Sequence, residues 1–213
     1  LEDYDTLIDA ERKEMIADVV NEAGRSKKII SNLLDFARES GSQLEPLDLY
    51  GLLHDVADLY QGSKLDIRLQ LIEPAPMMNG DAGRLRQLLH NLFKNTLEAV
   101  RGRQDGALVV RSRWAFDAGE RFIELSFEDN GSGFPDEVLE RLFEPYVTTR
   151  DKGTGLGLPI VKKIIEEHGG TLTLEPAIAF DDTDRRGAMA VIRLPVLITP
   201  ADPEQIQDTG AEN

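Results

Sequence analysis

The 213-residue sequence has no cysteine, and its three histidines, His54, His90 and His168, stand far apart. Disulfides and thiolate metal sites are therefore excluded, and a zinc cluster lacks ligands. Stability must come from an apolar core and chemistry from oxygen and nitrogen groups. No run approaches the roughly 20 apolar residues that a bilayer-spanning helix needs, and the opening Leu1-Glu2-Asp3-Tyr4-Asp5 is acidic, unlike a secretion signal. A soluble, cytoplasmic chain is expected, and a reducing compartment is compatible with it. Cations are scarce: 24 Lys and Arg stand against 39 Asp and Glu, for a formal net charge of −15. That balance repels nucleic acid and anionic membrane at long range, so neither is expected as a partner. An anionic ligand would need a local device, such as a metal ion or glycine-rich backbone.

The length and a hydrophobic fraction of 41% fit one well-packed domain plus an appendage. The absence of an initiator Met suggests a processed product or a piece of something longer. From about Glu11 to Glu39, Ile16, Val19, Ala23, Ile30, Leu33, Leu34 and Ala37 recur at mixed three- and four-residue intervals, which predicts one long amphipathic helix whose stripe needs a partner helix. Ser40-Gly41-Ser42 ends it and Pro46 imposes an extended link. A short helix capped by Asp48 follows to Tyr60, then a strand over Leu65–Ile72, and a helix capped by Asp81 to about Arg101. Strands are expected at Ala107–Phe116 and Arg121–Glu128, joined by a hairpin turn at Asp117-Ala118-Gly119. A short helix from Pro135 to Arg141, a polar loop to Gly155, a helix over Leu156–Glu167 and strands at Thr171–Glu175 and Ala188–Leu194 complete the pattern. An acidic turn at Asp181-Asp182 separates the last two strands, and residues 199–213 read as a frayed tail.

Three stretches suggest one nucleotide pocket. Asn91 and Asn95 lie four apart, on one face of a helix. Two asparagines inside a strongly apolar helix are unusual, because Asn forms helix poorly. Asp129-Asn130-Gly131-Ser132-Gly133 follows an alternating strand and so delivers a carboxylate at a strand end, although a plain Asx turn looks alike. Gly153-Thr154-Gly155-Leu156-Gly157-Leu158 is rich enough in glycine for backbone N–H groups to approach phosphate oxygens. It lacks the Lys-Ser/Thr of a P-loop and the spacing of a dinucleotide fingerprint. Mg-ATP is the ligand that suits an acidic chain with such a pocket, because magnesium accepts one or two hard oxygens and bridges phosphates.

In order and spacing these pieces resemble the ATP-binding catalytic domain of sensor histidine kinases, within the wider gyrase, Hsp90, histidine kinase and MutL ATPase superfamily. Residues 87–99 are similar to the family's N box, Asp129 to Gly133 to its first glycine box, Leu142-Phe143-Glu144-Pro145-Tyr146 to its F box, and Gly153 to Leu158 to its second glycine box. Glu98 and Tyr146-Val147-Thr148-Thr149-Arg150 resemble the nitrogen-regulation type. The resemblance implies an α+β fold, a two-layer sandwich with a mixed, mainly antiparallel sheet covered on one face by helices (the Bergerat fold), preceded by a long dimerisation helix. It implies that Asp129 binds the adenine amino group, Asn95 coordinates Mg2+, and Asn91 orders phosphates or the metal's waters. Gly131, Gly133, Gly153, Gly155 and Gly157 would shape the pocket and its lid, and Phe143 would anchor the lid. Thr149, Arg150, Lys152, Thr154, Leu156 and Leu158 would join the nucleotide contacts. Arg150 suits a phosphate contact and a solvated lid position equally.

Ser26 to Arg38, with Leu44-Glu45-Pro46-Leu47-Asp48-Leu49, resembles the second helix of the dimerisation and phosphoacceptor domain and its link. The expected organisation is a partial dimerisation helix over 1–43, the catalytic domain over 44–198 and the tail. The helix that bears the acceptor histidine is expected to be missing. His54 is a poor acceptor candidate, lying after the link with Leu59 where a proline is expected; a helix-face residue is the simpler reading. His90 reads as packing beside the pocket and His168 as a helix C-terminal residue interacting with the dipole. The implied reaction transfers the ATP γ-phosphoryl group to a histidine, for relay to a response-regulator aspartate, in a protein that dimerises through its helical bundle. The chain alone would bind nucleotide without phosphorylating itself. Related ATPases carry a Glu base where Asn91 stands, so slow ATP hydrolysis is expected. An ATP-driven clamp or an anti-sigma-type serine kinase are the alternatives; both would favour that Glu. The sensed signal, the regulator and any upstream anchor are left open.

Overall fold

The computed structural model describes residues 2–37, 43–134, 141–148, 153–177 and 187–197. Helix α1 (Glu2–Ala37) leads to strand β1 (Glu45–Asp48), helix α2 (Leu49–Leu59), strands β2 (Asp66–Gln70) and β3 (Met77–Gly80), and helix α3 (Ala82–Ala99). The hairpin of β4 (Ala107–Asp117) and β5 (Glu120–Asp129) follows, then helix α4 (Gly157–Glu167) and strands β6 (Thr171–Pro176) and β7 (Ala188–Pro195).

Among the described residues the main sheet has the order β2-β4-β5-β7-β6. β2 runs parallel to β4 and the other three pairings are antiparallel, the mixed sheet that the resemblance implies. The hairpin turns at Ala118 and Gly119, both at positive φ (50° and 85°), a conformation that matches the twist of the flanking strands. Strand alternation then decides which side chains meet the helices. Ile123, Leu125 and Phe127 of β5 turn inward and join Leu53 and Val56 of α2, Leu89 and Phe93 of α3, and Ile160 and Ile164 of α4 in one buried cluster. Asp129 is the next residue in that inward row. The strand's own period therefore sets a carboxylate on the helix-covered side of the sheet.

The opposite row of β5 carries Glu124 and Glu128, both buried. Glu124 accepts hydrogen bonds from Arg113 and, at 2.7 Å, from Arg193 on β7; Glu128 pairs with Arg111. Burial alone would raise the Glu124 carboxyl, but the hydrogen bonds and charges of Arg113 and Arg193 outweigh it and hold the group below the ordinary carboxylate range. Long arginine stems thus cover this face of the sheet.

The expected caps are in place: Asp48 Oδ1 accepts from the N–H groups of Tyr50 and Gly51, and Asp81 Oδ1 from that of Arg84, each at 3.0 Å. Three elements differ from expectation by two residues or more. α1 starts at Glu2, not near Glu11, because no glycine or proline interrupts residues 2–10 and the helix extends beyond its periodic stripe. α3 ends at Ala99, short of Arg101, and β2 is shorter than Leu65–Ile72. The two-stranded sheet of β1 and β3 was not expected at all. Four-residue strands are too short for alternation to register, and their pairing joins positions 29 to 35 residues apart. The expected helix at 135–141 falls outside the described residues apart from Arg141, as do the turn at Asp181-Asp182 and the tail from Thr199.

At 36 residues α1 is about 54 Å long. Ile16, Val19, Ile30 and Leu34, four members of its predicted stripe, are 57–64% exposed. Among the described residues no helix is long and apolar enough to cross a membrane.

Candidate functional site

α3 buries Leu85, Leu88, Leu89, Leu92 and Phe93 and turns its neighbouring face, with Asn91 and Asn95, to a cleft of about 1040 Å³. Asn91 Nδ2 donates to the Gln87 carbonyl at 2.9 Å, which fixes the direction of its amide. Opposite stands Gly157, the first residue of α4. A methyl group there would lie 3.5 Å from Asn95 Oδ1 and 3.6 Å from Asn91 Oδ1, ordinary contact distances, so both carboxamide oxygens converge on the space beside this glycine. Two convergent hard oxygens with room for water fit Mg2+ bound together with a phosphate. Among the described residues no group of three His, Cys, Asp or Glu could hold a metal unaided, so the remaining ligands would be phosphate oxygens and water.

At the other end of the cleft lies Asp129, buried to 7% exposure. Its Oδ1 accepts from the N–H groups of Gly131 at 2.8 Å and Ala188 at 3.3 Å, which fix the carboxylate plane. Phe127, Leu174, Ala188 and Ala190 line the cleft beside it. A single anchored acid among small and flat apolar side chains suits a planar base with an exocyclic amino group.

Between these ends runs the glycine-rich segment. The Tyr146 N–H donates to the Gly155 carbonyl at 3.1 Å and pinches the chain together across the residues between them. Gly155 has φ +64°, and a Cβ on it would stand 2.5 Å from the Tyr146 carbonyl carbon, so this close approach admits only glycine. Phe143 lies under Lys162 Nζ of α4, 5.1 Å from its ring centre, which attaches the F-box segment to the helix that starts at Gly157.

Behind the cleft α3 and α4 are clamped together. Buried His168 donates from Nδ1 to the Ile164 carbonyl (2.7 Å) and accepts at Nε2 from the Asp81 N–H (3.0 Å), which selects one neutral tautomer. The expected contact with the C-terminus of its helix is therefore a hydrogen bond to a carbonyl. Beside it Arg84 forks onto Glu167 at 2.7–3.0 Å in a nearly buried pair. These contacts hold the helix of the two asparagines against the helix of Gly157.

Of the residues singled out from sequence, Asn91, Asn95, Asp129, Gly133, Gly153, Thr154, Gly155, Gly157 and Leu158 line this one cleft. Gly131 stands against Ala99 and is not itself a lining residue; the Leu156 side chain is fully buried in the core; Phe143 faces Lys162. Thr149, Arg150 and Lys152 lie outside the described residues. His54 is exposed on α2, while His90 lines the cleft with Tyr60, whose hydroxyl is 3.4 Å from His90 Nδ1. Sequence reading missed Ala188 and Ala190, because alternation on β7 does not say which face meets a ligand. It also missed Lys94, which looks like an ordinary surface residue of an amphipathic helix.

The family described as histidine kinase-, DNA gyrase B-, and HSP90-like ATPase matches residues 80–198, and the chain belongs to it. The sensor histidine kinase ZraS of Escherichia coli O157:H7 is 32% identical over 190 residues, which cover 87% of this chain and 39% of that protein. The chain thus spans about two fifths of the length of this relative. Full-length ShkA in complex with AMPPNP has a similar structure, with a TM-score of 0.69 and 27% identity over 85% of this chain and 38% of that one. The histidine kinase ThkA in complex with the response regulator protein TrrA gives 0.66 and 25% identity over 87% and 51%.

Proposed function

We propose that the chain is the nucleotide-binding, phosphoryl-donating part of a sensor histidine kinase. The observation that carries this reading is the convergence of Asn91, Asn95, Asp129 and the glycine-rich segment on one cleft, in a chain of this ATPase family. Asp129 would accept the adenine amino group, and Asn95, with Asn91 beside it, would hold Mg2+ on the phosphates. Bound there, the metal would neutralise charge on the phosphoryl group, whose transfer depends mostly on positioning and electrostatics. The Asn91 amide has no basicity at neutral pH, so it does not activate water, and the terminal phosphate is kept for a histidine nucleophile. That nucleophile would come from a separate segment: His54 is on the surface of α2, His168 is locked behind the cleft, and His90 belongs to α3 itself, packed against Tyr60. A response regulator is the onward acceptor that the ThkA complex suggests.

Titration calorimetry with a non-hydrolysable ATP analogue, with and without Mg2+, tests the reading. The parent chain should bind about tenfold more tightly with the metal, and Asn95→Ala should bind equally under both conditions. A parent chain that binds no nucleotide would overturn the proposal.

The exposed stripe of α1 supports a second role, pairing with another copy through residues 1–43. Sedimentation at tens of micromolar should show a dimer that dissociates when Ile16, Val19, Ile30 and Leu34 are replaced by Ser. A strictly monomeric parent would remove this role.

A further inference from the structure

The proposed site has an unfavourable charge balance. The chain as a whole is strongly acidic, and α3 adds Glu98 to the cleft, three residues beyond Asn95 and hence on the same side of the helix. A triphosphate brought against the two asparagines meets a like charge there. The same helix brings Lys94 to the cleft wall, adjacent in sequence to Asn95 and three residues from Asn91.

Lys94 Nζ lies 3.6 Å from Glu98 Oε1, with the two side chains 41% and 38% exposed. Exposed helical pairs of this kind are weak, because each ion gives up solvation and rotamer freedom for a screened attraction. A lysine ammonium is a compact charge on a flexible stem, free to turn toward whichever anion is nearer and more highly charged. A terminal phosphate carries more charge than a carboxylate and would bring three acceptor oxygens to the asparagine face. Among the described residues of the cleft wall, the other full cations are Arg86, which is 3.6 Å from Asp55 of α2, and Arg101, beyond the last turn of α3. Lys94 is the one set beside Asn95.

We propose that Lys94 is a phosphate-binding residue of the cleft, which Glu98 holds in place until a nucleoside triphosphate displaces the carboxylate. This inference rests on the nucleotide reading above and deepens it. Glu98 acts as a counter-charge that weakens triphosphate binding, and Lys94 as the group that makes affinity depend on the number of phosphates.

The two residues should respond in opposite directions in calorimetric titrations with Mg2+ and either the non-hydrolysable ATP analogue or AMP. Lys94→Gln should weaken the triphosphate about tenfold and AMP by less than about twofold, since only the former reaches the ammonium. Glu98→Gln should tighten the triphosphate about threefold and leave AMP unchanged, by removal of the opposing charge. Triphosphate affinity unchanged in Lys94→Gln, an equal loss for AMP, or weaker triphosphate binding in Glu98→Gln would each overturn the role of Lys94. A parent chain that binds neither nucleotide would instead overturn the underlying reading. Normal parent binding with an unaffected Lys94→Gln variant removes this inference alone.

Discussion

Asp129→Asn should leave the fold intact and remove nucleotide binding. Two N–H groups that orient Asp129, those of Gly131 and Ala188, point at Oδ1, and an asparagine oxygen can accept them in the same place. The second carboxylate oxygen is then replaced by an NH₂ group. An adenine amino group would meet a donor where it needs an acceptor, in a site buried to 7% exposure. Losing a charge-assisted hydrogen bond and leaving donors unpaired amounts to about 3–4 kcal/mol, or an affinity loss of 10²–10³-fold. Thermal melting should show a shift of no more than about 3 °C, because no volume changes and the bonds from Gly131 and Ala188 persist. Calorimetry that finds ATP binding within threefold of the parent would remove Asp129 from base recognition.

Gly187→Ala should be the most disruptive methyl group added at any of the described glycines. A Cβ at Gly187 would lie 1.8 Å from the Asp129 carbonyl oxygen, 2.9 Å from its carbonyl carbon and 3.2 Å from Asn130 Cα. All three atoms are backbone, so no rotamer change can make room. Either the start of β7 or the end of β5 must move by more than 1 Å, which separates the Ala188 N–H from the carboxylate it orients. The expected cost is about 3–5 kcal/mol of stability, as for severe overpacking, together with loss of nucleotide binding. Gly119→Ala is the control: it has φ +85° and nothing within 4 Å of the added methyl, so only the backbone preference is lost, about 1 kcal/mol. Chemical denaturation of both variants measures the contrast. A Gly187→Ala protein as stable as the Gly119→Ala protein would mean that the contact between β5 and β7 at this point is loose.

Local order in this protein was legible wherever a periodic pattern ran long enough. The alternation of residues 107–128, broken at Asp117-Ala118-Gly119, gave the hairpin to within one residue at each end. Asp48 and Asp81 marked two helix starts, because a side-chain acceptor before an apolar stripe satisfies the first free N–H groups. Where pattern was short or the deciding contact was distant, reading failed. β1 and β3 are four residues each and exist because they pair with one another.

The site shows the same division. Asn91, Asn95, Asp129 and the run Gly153–Gly157 stand out in the sequence because their residue types do not belong where they occur: amides inside an apolar helix, an acid at the end of an apolar strand, glycines before a helix. Ala188 and Ala190 beside Asp129, Lys94 beside Asn95, and the turning of Phe143 toward Lys162 have no such signature. Ordinary residues acquire these roles from what they face.

By itself the sequence determined the chemistry and the local elements. It specified an acidic, cysteine-free chain with a carboxylate, two amides and a flexible glycine segment, each on a helix, strand or turn set by short-range periodicity. Only the tertiary structure decided that these pieces meet. Pairing of β5 with β7 brings the Ala188 N–H to Asp129, and the clamp of His168 and Arg84 sets Gly157 opposite the asparagines. The reason is physical: periodicity is a property of neighbours along the chain, whereas a pocket is made by burial and hydrogen bonding between residues 59 to 87 positions apart.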